Sequence, residues 1–107
     1  MLSADLIRGH TDTILLRFLK EGDSYGYAIN KRIREISGGE YELNEATLYT
    51  AFKRLSQAGF ITSYWGEEDS GARRRYYSIT DAGREHYEEA LKIWDASSRL
   101  IEKLVRS

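Results

Sequence analysis

The chain has 107 residues, 41% of them hydrophobic and 31% charged, with a formal net charge of −1. That is one domain's worth of globular material with a modest core, which excludes a disordered chain and a polycationic coat for nucleic acid. The lack of cysteine excludes a disulfide framework, a thiolate metal site and a cysteine nucleophile. No apolar run approaches the ~20 residues that span a bilayer, and the opening MLSADLIRGHTD has no signal-peptide core, so no membrane partner and a cytoplasmic, nucleoid-associated place are expected. Eight tyrosines and two tryptophans exceed what so small a core buries, and such aromatics often serve interfaces.

Leu6, Ile7, Ile14, Leu15, Phe18 and Leu19 have helical spacing and predict one helix over 3–20, broken by Glu21-Gly22-Asp23. Ser24 is expected to cap a second helix, 25–37, with Ile29, Ile33 and Ile36 on its buried side. Its other face carries Lys31, Arg32 and Arg34, cations that are solvated or lie along a DNA backbone. Gly38-Gly39 stops it, and Glu40–Leu43 leads on in extended form.

The stretch NEATLYTAFKRLSQAGF, 44–60, organises the rest. Asn44 is a good N-cap, and Gly59 supplies the left-handed residue that ends a helix. Leu48, Ala51, Phe52 and Leu55 form an apolar stripe. The opposite face holds Ala46, Thr50, Lys53 and Gln57, flanked by Tyr49 and Arg54, with no carboxylate at its centre. Thr50, Lys53 and Gln57 suit base edges in a major groove, and Tyr49 and Arg54 suit phosphates. A solvated helix face has the same composition; the basic, strand-like segment just past Gly59 favours DNA.

Two strand-like runs, Phe60–Trp65 and Arg73–Ile79, flank a polar loop at 66–72. The return run opens Arg73-Arg74-Arg75. Alternation along a strand puts at most two of these on one side, with Arg74 and Arg75 expected at phosphates. The acids Glu67, Glu68 and Asp69 at the loop tip are expected to pair with them in part. Helix, helix, link, helix and basic ribbon is the layout of a winged helix-turn-helix. The fold class is therefore mainly α with a small two-stranded antiparallel ribbon.

Thr80 caps a last helix from Asp81 to about Val105, ~37 Å long at 1.5 Å per residue, with Gly83 a mild internal weakness. Tyr87, Leu91, Trp94, Ser98, Ile101 and Val105 form one apolar row; Ala90, Ile93, Ser97, Leu100 and Leu104 form another. Two heptad-like seams are more than one packing partner needs, so one is assigned to the first helix and the other to a second copy. Leu91, Trp94, Ile101 and Val105 are the expected dimerisation residues. Residues 1–80 form the DNA-binding part and 81–107 the dimerisation helix.

No catalytic or cofactor set can be assembled. His10 and His86 lie on different helices without ligand partners, and neither a nucleophile elbow nor a phosphate loop is present. An enzyme and a cofactor are not expected. Trp94 leaves two readings open: simple packing, or an indole pair across a two-fold axis holding a planar aromatic guest, with Asp12 facing the same space.

The runs SYGYAINKRI, LNEATLYTAFKRLSQAGFITSYW and GARRRYYSITDAGREHY carry further information. Their signatures fall at Leu48-Tyr49, Arg54-Leu55, Gly59 and Ile61, and at Arg74, Tyr76, Tyr77, Thr80 and Gly83. In this order and spacing they resemble the PadR family of bacterial transcriptional regulators, over nearly the whole chain. The resemblance implies a winged helix-turn-helix, a homodimer through the last helix, and repression at a pseudo-palindromic operator. It is to the short, single-C-terminal-helix branch. A multidrug-responsive member of that branch sandwiches flat aromatic drugs at a tryptophan matching Trp94. Ser98 stands where that member has an acid and Arg17 where it has a neutral amide, so its cationic ligands are not expected here. The competing class is a protein-interaction module that uses the ribbon and the aromatic seam without an operator.

Overall fold

In the computed structural model, which describes residues 2–66 and 73–107, the order is α1 (Ala4–Arg8), α2 (Thr11–Glu21), α3 (Gly26–Ile36), α4 (Glu45–Gln57), β1 (Ile61–Trp65), β2 (Arg75–Ile79) and α5 (Asp81–Arg106). The expected pairing of Glu67, Glu68 and Asp69 with the arginines lies outside the described residues.

The apolar stripes meet where their periodicity aims them. Leu15, Leu16 and Leu19 of α2, Ile29 and Ile33 of α3, and Leu48, Ala51, Phe52 and Leu55 of α4 are buried together with Ile61 and Tyr77 of the ribbon. Phe52 stacks on Tyr77 at 3.9 Å, so the ribbon is bolted to the middle of α4. The strands are antiparallel, with Ile61 opposite Ile79 and Tyr64 opposite Tyr76.

Four expectations are corrected. The single helix over 3–20 is two helices meeting at Gly9-His10. There the Thr11 hydroxyl donates to the Arg8 carbonyl (2.9 Å), satisfying an acceptor that a continuous helix would use. Ser24 does not cap α3. Its backbone instead exchanges two hydrogen bonds with Tyr77 (3.2 and 2.8 Å), and an extended Tyr25 precedes the helix without a side-chain cap. Ile36 is 61% exposed, because it lines an open groove beside Phe18 and does not enter the core.

Gly83 is the fourth. It is the buried residue of α5, and a Cβ there would collide with the Phe60 carbonyl oxygen and sit 2.8 Å from Ile79 Cγ1. The glycine is a close-approach site that seats the helix on the ribbon. Thr80 completes the junction: its hydroxyl donates to Gly59 O (2.7 Å) and accepts from Gly83 N–H (3.0 Å). Beyond this root α5 runs along α2, where Lys20 pairs with Glu88 at 2.8 Å, and then outruns the domain. The molecule is consequently 58 Å long but only 31 by 21 Å across.

Candidate nucleic-acid interface

Helix α4 starts where Asn44 accepts the Thr47 N–H (2.8 Å), and it ends at Gly59, whose φ of +81° needs a glycine. Its start is held in space by a residue that gave no local signal. Asn30 of α3 donates to the Leu43 carbonyl (2.7 Å) and accepts the Leu43 N–H (2.9 Å), a two-point clamp on the link into α4. Arg34 adds a pair with Glu42 at 2.9 Å, and Arg32 lies 3.4 Å from Glu21, so these two α3 cations are matched by acids.

With its stripe buried, α4 presents Ala46, Thr50, Lys53 and Gln57 to solvent as one continuous face. Tyr49, half exposed, leans toward α3: a Cβ at Gly26 would lie 3.2 Å from its hydroxyl oxygen. Arg54 is differently placed than a purely solvent-facing flank. Its Nε donates to Asp12 Oδ2 (3.1 Å), its Nη2 donates to Asp12 Oδ1, and this bidentate partner pushes the guanidinium pKa further up. The pair corrects the position expected for Asp12, which turns to α4 and not toward Trp94.

The ribbon sorts its arginines by face. Arg75 donates to the Ser63 hydroxyl through Nε (3.1 Å) and Nη2 (2.9 Å), on the Trp65 side. Arg73 also lies over Trp65, at 5.7 Å. Arg74 goes to the other face and covers the Tyr25 ring at 4.7 Å. Thus α4's polar face and a cationic ribbon flank the start of α3, an arrangement able to follow a nucleic-acid duplex.

A second feature involves neither α4 nor the ribbon. An apolar groove of about 990 Å³ runs between the α1–α2 corner, the end of α3 and α5, lined among others by Ile14, Phe18, Arg17, Leu91 and Trp94. His10 meets the Trp94 ring edge-on at 4.7 Å. Leu91, Trp94, Ser98 and Ile101 line this groove, which is open to solvent; the Ser98 hydroxyl donates to its own helix at Asp95 O (3.2 Å). The bare row is Ile93, Leu100, Ile101, Leu104 and Val105, each more than half exposed. Among the described residues no cluster of three His, Cys, Asp or Glu could hold a metal, and no helix is long and apolar enough to cross a membrane.

The family model of PadR-like transcriptional regulators matches residues 15–89, from α2 into α5. A transcriptional regulator from Clostridium thermocellum shares 46% identity with a TM-score of 0.90, over 99% of this chain and all of that one. An uncharacterized protein of Lysinibacillus sphaericus is 38% identical over 95% of this chain and 94% of its own length. Bacillus subtilis PadR, solved in complex with operator DNA, is 25% identical with a TM-score of 0.67, over 75% of this chain and 45% of that one. On this match, and on the helix-turn-helix and ribbon that carry it, the chain belongs to the PadR-like family of transcriptional regulators.

Proposed function

We propose that the chain is a repressor that binds a pseudo-palindromic operator as a homodimer, with residues 1–80 as the reading head and 81–107 as the dimerisation helix. The observation that carries the reading is the exposed Ala46, Thr50, Lys53 and Gln57 face of α4, set beside a ribbon bearing Arg73, Arg74 and Arg75. Thr50, Lys53 and Gln57 meet base edges. Tyr49, Arg74 and Arg75 meet phosphate, as does Arg54 from within its pair with Asp12. The operator complex of Bacillus subtilis PadR supports DNA as the partner.

The bare row of α5 and the open groove support the second copy. Contiguous apolar surface of that kind favours burial, and a two-fold axis lets each α5 cover the other chain's groove. Trp94, with Ser98 and Arg17 nearby, then lines a space between subunits that admits a planar aromatic ligand. Light scattering at micromolar concentration is expected to give a dimer that Leu100→Glu with Leu104→Glu converts to monomer. Lys53→Ala is expected to weaken a duplex selected by the wild-type protein from a randomised library. A monomeric wild type sinks the dimer, and unaltered affinity removes α4 from the interface. Quenching of Trp94 by planar dyes tests the ligand, and no response across a panel ends that part.

A further inference from the structure

Three tyrosines outside the apolar stripes, Tyr25, Tyr64 and Tyr76, form a circuit with Asp23 toward the loop end of the ribbon. Tyr64 and Tyr76 lie opposite each other in the register and stack at 5.7 Å with 13° between planes. Tyr76 meets Tyr25 edge-on at 5.3 Å. The Tyr64 hydroxyl donates to Asp23 Oδ2 at 2.6 Å, and Asp23 lies two residues before Tyr25, so the circuit closes through the backbone. The same turn is zipped to β2 by the paired Ser24 and Tyr77 backbone bonds. Gly66 makes room: a Cβ there would run into the Tyr76 ring. Tyr77, next in the strand and on the opposite face, turns inward onto Phe52 and ties β2 to α4.

Arg74 rests on this frame. Its guanidinium covers the Tyr25 ring at 4.7 Å, and its Nη1 donates to the Tyr25 hydroxyl at 3.2 Å. A free arginine must lose rotamer freedom to meet a phosphate, and ring stacking plus a hydrogen bond removes much of that loss beforehand. We propose that Tyr25 is a positioning residue for DNA binding: it holds Arg74 of the ribbon at a fixed distance from the exposed face of α4. Tyr25 itself need not touch DNA. The frame joins the ribbon to the first helix of the helix-turn-helix, so the two reading elements keep one spacing.

The inference rests on the reading that Arg74 meets DNA, so the test separates the two. Wild type, Arg74→Ala, Tyr25→Phe and the double variant are titrated against the library-selected duplex by anisotropy at several salt concentrations. Arg74→Ala is expected to weaken binding about tenfold and to make the salt slope shallower by about 0.9. Tyr25→Phe keeps the ring and loses the hydroxyl; about threefold weaker binding is expected, and none further once Arg74 is gone. Gly66→Ala, which displaces Tyr76, is expected to show the same dependence on Arg74. If Arg74→Ala changes neither affinity nor slope, the wing reading falls and takes the inference with it. If Arg74→Ala weakens binding but Tyr25→Phe is silent, or is equally harmful in both backgrounds, the positioning role alone is overturned. Thermal midpoints of the four proteins are expected to agree closely, because Tyr25 is only half-buried.

Discussion

Gly83→Ala separates helix propensity from packing, because the two predict opposite signs. In an exposed helix interior the change stabilises by about 1 kcal/mol. Here the added methyl meets the Phe60 carbonyl oxygen, with Phe60 C at 3.0 Å and Ile79 Cγ1 at 2.8 Å. That carbonyl accepts the Thr80 N–H at 3.0 Å, so moving it strains the bond that holds the N-cap of α5 to the ribbon. A backbone atom fixed in this way puts the overpacking cost at the upper end of its range, about 3 kcal/mol. The net is a loss of about 2 kcal/mol, or roughly 10 °C in the thermal midpoint for a domain of this size. Melting followed by circular dichroism at one fixed protein concentration measures it. A midpoint equal to or above wild type would refute the close packing of α5 on the ribbon.

Asp12→Asn keeps the size of the side chain and removes the charge that offsets Arg54. The pair is partly exposed, with side chains 53% and 32% accessible, so stability should fall by no more than about 1 kcal/mol. Arg54 then offers its whole charge to phosphate: DNA affinity rises and the salt slope steepens by up to about 0.9. Weaker binding would mean that Asp12 holds Arg54 in its contact geometry. At alkaline pH two tyrosines contribute to loss of stability, beside Lys20, whose pKa the Glu88 hydrogen bond raises. The hydrogen bond to Asp23 raises the Tyr64 pKa above its usual 10.0, and burial does the same for Tyr77. A raised tyrosine pKa means that the fold favours the neutral form, so the stability it confers is complete below pH 10.0 and is lost as pH rises through the raised value. Denaturant midpoints are expected to hold through neutral pH and drop above 10.0, less so in Tyr64→Phe with Tyr77→Phe; parallel loss in both proteins contradicts the assignment.

What was legible in the chain was local. Helix α4 declares itself through a cap at Asn44, a stripe at Leu48, Ala51, Phe52 and Leu55, and a left-handed Gly59, all within one short window. The ribbon and α5 announce themselves in the same way. The failures were contacts between distant parts. Apolar spacing runs on through Gly9-His10, yet the chain breaks there and His10 comes to rest on Trp94. Ser24 has the chemistry of a cap, and a strand 53 positions later claims its backbone. Asp12 and Arg54 are 42 positions apart, so neither predicts the other. The tyrosine frame was half legible: strand alternation puts Tyr64, Tyr76 and Arg74 on one face, but only the observed register and the docked turn bring in Tyr25.

Helix α2 links the two surfaces to which function is assigned. Its Ile14, Arg17 and Phe18 line the groove beside Trp94, and its Asp12 grips Arg54 on the reading helix. Between them Leu15, Leu16 and Leu19 are packed into the core, which transmits displacement and does not absorb it. A partner helix or a planar guest in the groove, as proposed, would reach α4 through this one helix. Rigidity alone does not make an effector. A ligand that fits the groove equally well in free and operator-bound dimers would quench Trp94 and leave the DNA complex intact. Release requires the guest to prefer a groove width that the operator disfavours, and reciprocity then makes the operator weaken the guest by the same factor. Measuring dye affinity with and without saturating duplex reads that factor directly: equal affinities would leave the groove a binding site with no part in regulation.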